Sequence, residues 1–473
     1  MNVITIVSDT LRADYLACYG NPWTRTPNFD RLAGSAVVFD RAYVHNFPTV
    51  PARCDMWTGR YTSAYFDWGP LPRDEIILSQ VLSAGGVTTM LIGDTLNLFR
   101  DGYYFDRGFH AFHWIRGQAS DRYQTDPRVV DVSAVAEASF DPNATLIPHL
   151  RSTRDRRHEE EYFPAQTFRD AARWLERNRG NQPFYLHIDT FDPHEPWDPP
   201  AWYVERYDPG YEGREIASPK YATADYLTPA ELLHCRALYA GEVSLVDTWL
   251  GWFLITVENL GLLDSTAIIV TADHGFYLGE HGWIGKSLID RGVQRFLPLY
   301  EEVARVPMLV YIPGIKPGRS GALVQPVDIA PTVLELLDIP APAEMQGHSW
   351  TPLFTGNAVS VRDFAWSGPA VHHRGRYRPS TVTTADGWCL IYNGQVEPPT
   401  GEREIWAVDG RLREEVLPPH VPEPELYYLP DDPRQGRNLF LDHRDRAEKI
   451  RSKHLDMLEQ LGVSEEALEL RRR

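Results

Sequence analysis

The chain has 473 residues, enough for a large core and two domains. Its 47 basic and 65 acidic residues leave a net charge of −18, which argues against nucleic acid and anionic membranes as partners. An anionic substrate must therefore be held locally, by a metal ion and a few basic groups, and four widely spaced cysteines offer no zinc-type pairing.

Residues 3–7 are a continuous β-branched apolar run that stops at Ser8-Asp9, the pattern of a strand buried on both faces of a parallel sheet. This opening is not a charged leader followed by a long apolar stretch, so a cytoplasmic protein is expected. Residues 77–84 read as a helix and 88–92 as a second strand. The segment from about 110 to 164 is polar, rich in Arg and Asp, and weakly periodic, which suggests an insertion or lid. Its basic patch at 151–158 leaves open a solvated surface, a substrate contact or an oligomer contact. Residues 165–178 place Phe168, Ala171, Ala172 and Leu175 on one helical stripe.

Residues 184–188 form a strand that runs into Asp189-Thr190-Phe191-Asp192-Pro193-His194. A long helical stretch covers 232–254. The strand at 266–271 ends in Ala272-Asp273-His274-Gly275, and a strand at 308–312 and a helix at 329–337 follow. From about 360 the elements shorten, with strands at 380–384 and 388–392 between Pro-rich turns. A terminal helix carries Ile450, Leu455, Leu458 and Leu461 as its predicted inner positions. Alternating strands and helices predict an α/β domain with a mostly parallel sheet over 1–360, then a smaller α+β subdomain over 361–473. Ligands in such sheets bind beyond the carboxyl ends of the strands. Asp9, the His194 loop and Asp273-His274 all follow predicted strands, and the segment at Thr49 presents a helix N-terminus. Four distant stretches are thus expected at one rim.

Thr49-Val50-Pro51-Ala52-Arg53, followed by Thr58-Gly59-Arg60-Tyr61, resembles the active-site signature of the sulfatase family in the alkaline phosphatase superfamily. That pattern is Cys or Ser, any residue, Pro, any residue, Arg, and then Thr-Gly-Arg-Tyr. Only its first anchor differs here. Further blocks are similar to the family's in the same order. They include Ser8-Asp9-Thr10 with Cys18-Tyr19-Gly20, the helix around Asp247, Asp273-His274-Gly275 with Gly285-Lys286, Val327-Asp328, and Glu425-Leu426-Tyr427. The resemblance covers nearly the whole chain. It implies an alkaline phosphatase-like fold, in which a large mixed, mostly parallel sheet is sandwiched by helices and followed by a smaller antiparallel sheet.

In sulfatases the first signature residue is oxidised to formylglycine. Thr49 is not expected to mature that way, but a Thr can serve as a metal-activated alkoxide nucleophile. The resemblance implies that Asp9, Asp273, His274 and the Thr49 oxygen hold one divalent metal ion. Calcium-dependent relatives carry a second Asp where Thr10 stands and Asn where His274 stands. An added imidazole favours Mn2+ or Zn2+ over Ca2+. Arg53, one helical turn beyond Thr49, is expected to orient the nucleophile and bind an ester oxygen. Lys286 supplies a second cation, and His194, in Pro193-His194-Glu195-Pro196, matches the leaving-group histidine. Asp189 and His194 imitate only part of a second zinc site. Cys54 lacks a Pro at the required spacing and reads as a buried helix cysteine.

Sulfatases often carry Lys-x-His where this chain has Asp94-Thr95-Leu96-Asn97. Asp94 and Asn97 are therefore expected to bind substrate, and the lost basic groups suit a diester, a neutral polar group or an amine. The expected activity is hydrolysis of phosphodiesters or phosphonate monoesters, with a small anionic ester as partner. Sulfuric ester hydrolysis without formylglycine, transfer of a phospho-group, and a silent metal-containing binding protein stay open, and a homo-oligomer is compatible but not required.

Overall fold

The computed structural model describes residues 1–127, 146–290, 293–372, 377–395, 405–408, 411–415 and 422–472. Its main sheet has eight strands. From edge to edge they are Gly318–Val324, Val37–Ala42, Met308–Tyr311, Thr266–Thr271, Asn2–Ser8, Phe184–Thr190, Thr88–Gly93 and Ala111–Trp114. Met308–Tyr311 runs antiparallel to both neighbours, and the other adjacent pairs are parallel. The strand Asn2–Ser8 is buried along its whole length, as its unbroken apolar run predicts. Burying each of Val3, Ile4, Ile6 and Val7 contributes about 1.5–3 kcal/mol.

Side-chain alternation divides the sheet into two faces. Thr5, Tyr185 and His187 line a small void with Met56, Trp57, Leu78 and Ile329. That face therefore carries the helices Thr49–Thr58, Leu78–Ala84 and Ile329–Leu336. The opposite face is covered by Phe163–Asn178 and the long helix Pro229–Asn259, which meet at Phe168 and Phe253. Pro229–Asn259 starts where its sequence dictates. Thr228 accepts a hydrogen bond from the Glu231 amide, the Glu231 carboxylate accepts one back from the Thr228 amide, and Pro229 fills the first helical position.

A second, antiparallel sheet holds Phe364–Ser367, Ser380–Thr384, Trp388–Tyr392 and Glu425–Tyr428. The helix Arg444–Gln460 packs on it. Ile450 and Leu458 are buried as expected, but Leu455 and Leu461 are only half-buried. His454 takes the innermost place instead, because the Tyr392 hydroxyl lies 2.7 Å from its Nδ1 and Trp366 packs against its ring. The expected lid falls partly outside the described residues, at 128–145. Of its basic patch, Arg156 pairs with Asp198 at 2.9 Å and Arg154 pairs with Asp126. No helix among the described residues is long and apolar enough to cross a membrane.

Candidate active site

Three neighbouring strands deliver acids to one rim. In the parallel register Val7 lies beside both Asp189 and Thr271, so Asp9, Asp189 and Asp273 emerge together at the carboxyl ends. Asp9 and Asp189 share the parity of Thr5 and His187, which points them toward the helix Thr49–Thr58. Asp9, Asp273 and His274 bring their ligand atoms within 4.8 Å of one another, and all three are fully buried.

The donor set fits a divalent cation. Neither oxygen of Asp9 accepts an aligned hydrogen bond, although Oδ2 lies 3.1 Å from the Arg53 guanidinium. A buried carboxylate left this way calls for a cation. Burial, and then repulsion from Asp273, push the Asp9 carboxyl well above its usual range. Burial opposes ionisation of Asp273 too, but His274, Arg53 and Lys286 hold it below that range. Burial drives His274 down to about 3, keeping its imidazole neutral. His274 Nδ1 donates to the Gly275 carbonyl at 2.9 Å, which frees Nε2 as the ligand atom.

The helix Thr49–Thr58 is buried at every position. Gly59 ends it at φ +64°, where a Cβ would stand 3.1 Å from Met345 and 3.3 Å from Ala330, so the glycine of Thr-Gly-Arg-Tyr answers both to conformation and to space. Thr49 sits in the first turn, with Oγ1 3.4 Å from His274 Nε2 and 3.3 Å from Lys286 Nζ. Lys286 Nζ also reaches His194 Nε2 at 2.9 Å. Hydroxyl, amine and two imidazoles thus meet around one point.

Arg53 keeps to one of its expected roles, holding Thr49, and departs from the other. Its Nε and Nη2 clamp Asp189 at 2.8 Å each, while Nη1 donates to Asp273 at 2.6 Å and to the Thr49 carbonyl at 3.1 Å. It is fully buried, with every nitrogen engaged by the protein. Arg53 therefore holds the acids in place and does not offer a free fork to an ester oxygen. Asp189, whose likeness to a second zinc ligand the sequence suggests, is its anchor. Thr95 adds a hydrogen bond to the same carboxylate at 2.5 Å. Among the described residues, Asp9, Asp273 and His274 form the one group with metal-ligand spacing.

Asp94 also departs from expectation. Gly93 pairs with Asp189 and shares its face, so Asp94 points to the other side of the sheet. There it accepts hydrogen bonds from Thr167 of the helix Phe163–Asn178 and from the Phe191 amide, both at 3.2 Å. Burial raises its carboxyl to about 7. It is a layer-facing acid and does not meet the group around Thr49. Asn97 is buried on the short helix Leu96–Phe99, and its Oδ1 accepts no hydrogen bond from the protein. Cys54 is buried as expected, and its thiol is pushed well up by burial.

One contributor escapes a reading of the sequence. Glu195 lies beside His194, with its carboxylate 3.0 Å from Nδ1, and only the folded loop reveals that contact.

Parallel strands ending in a buried acid–imidazole cluster with metal-ligand spacing, opposite a helix N-terminus that carries a hydroxyl, match a hydrolase of ester bonds on an alkaline phosphatase-like scaffold. Residues 1–339 match the sulfatase family model, and the chain belongs to that family. It is 24% identical over 412 residues to an arylsulfatase of Clostridium perfringens, covering 77% of this chain and 80% of that one. It is 25% identical over 526 residues to an N-acetylglucosamine-6-O-sulfatase of Bacteroides thetaiotaomicron, covering 93% and 82%. The solved structure of a phosphonate monoester hydrolase from Silicibacter pomeroyi shares the fold, with a TM-score of 0.70, 22% identity and coverage of 99% and 96%.

Proposed function

We propose that the chain hydrolyses phosphodiesters or phosphonate monoesters by double displacement, with Thr49 as nucleophile and Mn2+ or Zn2+ at Asp9, Asp273 and His274. The observation that carries this reading is the Thr49 hydroxyl between His274 Nε2 and Lys286 Nζ, at the start of a buried helix. A divalent ion in the acid–imidazole cluster supplies a Lewis acid, which lowers the pKa of a ligated hydroxyl and offsets charge on the reacting group.

Thr49 Oγ1 gives its proton to water and attacks phosphorus. The Thr49–phosphorus bond forms as the bond to the leaving oxygen breaks, and the electron pair stays on that oxygen. His194 Nε2 delivers a proton to it, so an alcohol departs. Water then attacks phosphorus and returns a proton to Nε2, and the Thr49 oxygen leaves and is reprotonated. Lys286 offsets charge on the transferring group, while the helix N-terminus adds positive potential.

Charge favours a singly charged substrate. Arg53 is engaged by acids, which leaves Lys286 as the cation facing Thr49. A phosphate monoester brings about two charges at neutral pH, whereas a diester, phosphonate monoester or sulfate ester brings one. The sulfatase relatives therefore favour sulfuric ester hydrolysis as the second reading. Thr49 weighs against it, since only Cys or Ser yields formylglycine in the family signature. A cytoplasmic location belongs to the same proposal, supported by the unpaired thiols of Cys18, Cys54, Cys235 and Cys389.

The test is turnover of aryl phosphodiester, phosphonate monoester, phosphate monoester and sulfate esters by metal-stripped protein, with manganese, zinc or calcium added back. Diester or phosphonate hydrolysis restored by manganese or zinc and lost in Thr49→Ala is expected. Dominant sulfate turnover would replace the first reading by the second, and no turnover with any metal would remove both.

A further inference from the structure

His194 stands between two charged groups. Lys286 Nζ lies 2.9 Å from its Nε2, and beyond that lysine stands His274. On the other side, Nδ1 donates to the Glu195 main-chain carbonyl at 2.7 Å, while the Glu195 carboxylate Oε2 lies 3.0 Å from the same nitrogen. The carbonyl accepts the aligned hydrogen bond, and Oε2 accepts none. The main chain thus sets the ring's tautomer, and the carboxylate adds a negative charge at close range.

That carboxylate is itself held. Glu195 is buried, and its Oε1 accepts a hydrogen bond from Tyr221 at 2.5 Å. Burial opposes its ionisation, but His194, Lys286 and the Tyr221 hydroxyl keep its carboxyl below the usual range. The buried Tyr221 ring also packs flush on Gly285, where a Cβ would stand 2.6 Å from it and where φ is +105°. Gly285 immediately precedes Lys286. One tyrosine therefore braces both the acid behind His194 and the backbone that carries the lysine in front of it. Phe191 completes the frame, stacked on the imidazole with ring centroids 4.1 Å apart.

We propose that Glu195, braced by Tyr221, is a positioning residue that holds the His194 ring from its Nδ1 side and so orients Nε2 toward the leaving oxygen. This rests on the proposed leaving-group role of His194. When the Nε2–H bond breaks and the alcohol O–H bond forms, the imidazolium returns to neutral imidazole. Glu195 keeps its own charge throughout and exchanges no proton.

The experiment compares Glu195→Gln with the unaltered zinc-loaded enzyme on two esters of whichever class it turns over. One ester releases nitrophenol and the other an unactivated alcohol. General acid catalysis is worth roughly 100- to 10,000-fold, so removing its supporting charge should slow kcat on the unactivated ester by about tenfold or more. The nitrophenyl ester needs little protonation and should stay within about threefold, with KM nearly unchanged for both. Tyr221→Phe should move kcat the same way by less. Glu195→Gln added to His194→Ala should slow turnover no further. A spectroscopic arm stands apart from turnover. The His194 Nδ1–H proton resonance should shift in Glu195→Gln, because the charge 3.0 Å from that nitrogen is removed. An unchanged Nδ1–H resonance, equal loss on both esters, or additivity with His194→Ala overturns the inference. If no ester is turned over, the proposed function fails alone and the Nδ1–H resonance still decides the Glu195 contact.

Discussion

Two buried hydroxyl–imidazole–carboxylate sets lie at opposite ends of the helix Thr49–Thr58, and only one is built for chemistry. In the first, Ser63 Oγ lies 2.8 Å from His45 Nε2, and His45 Nδ1 lies 2.6 Å from Asp55 Oδ2. By residue type and distance this is the better match to a serine hydrolase triad. Yet Asp55 also accepts hydrogen bonds from the Asn46 amide, the Thr62 amide and the Thr62 hydroxyl, and the His45 ring is edged by Tyr61 and Trp366. No atom of that set lacks a partner. In the second set, Thr49, His274 and Asp273 sit at looser distances, beside an Asp9 whose two oxygens have no aligned partner. Complete hydrogen bonding marks a structural lock. Unmet demand beside a nucleophile marks a reactive site, because only the incoming ion and substrate can satisfy it.

The contrast is most easily broken at the two hydroxyls. Thr49→Ala should lower kcat by about 1,000-fold or more, since the covalent route loses its nucleophile. Ser63→Ala should leave kcat within about threefold but destabilise the fold by about 1–3 kcal/mol, as His45 loses its buried partner. Steady-state kinetics and urea unfolding on both variants check this, and a large kcat loss in Ser63→Ala would collapse the distinction.

The metal ligands come next. Asp273→Asn or His274→Ala should weaken zinc or manganese binding by about 100-fold, measured by calorimetric titration of the metal-stripped protein. Asp55→Asn should leave that affinity unchanged. Lys286→Met should cost about 100-fold in kcat by removing the cation opposite Thr49 while sparing metal affinity, which kinetics and the same titration separate.

The smallest expected effect on activity is at Asp94, another buried acid, on the far face of the sheet. Asp94→Asn should change KM by less than about threefold, because the side chain meets Thr167 and the Phe191 amide and not the group around Thr49. Its folded-state carboxyl is raised to about 7, above the unfolded value. The stability it contributes is therefore fully present below about pH 4 and lost as pH rises through about 7. Asp94→Asn should flatten that decline by about 1–3 kcal/mol, read from urea unfolding at pH 5 and pH 8. A tenfold rise in KM would instead return Asp94 to the substrate.

Local signals carried much of the fold. The unbroken runs at Asn2–Ser8 and Thr266–Thr271 read as buried strands because both faces are covered. The 3.6-residue stripe of Phe163–Asn178 reads as a helix because only one of its faces is covered. Val37–Ala42 and Gly318–Val324 went unread, since Asp40, Arg41 and the two glycines break any apolar pattern and the pairing of these strands with each other and with Met308–Tyr311 does not show locally. The meeting of Asp9, Thr49, Asp273, His274 and His194 at one rim is expected from strand ends and a helix start, whereas the place of Lys286 follows only from the family resemblance.

The sequence by itself determined which residue types exist to do the chemistry, where the strands that present them end, and that a threonine replaces the oxidisable residue of the signature. Only the tertiary structure decided which side of the sheet each acid faces and which partner each cation takes. Asp94 turned away because its neighbour Gly93 shares a face with Asp189, and Arg53 turned inward because three strands bring it three carboxylates. Burial makes an unpaired charge so costly that partners distant in the chain settle each role, and local pattern carries no record of those partners.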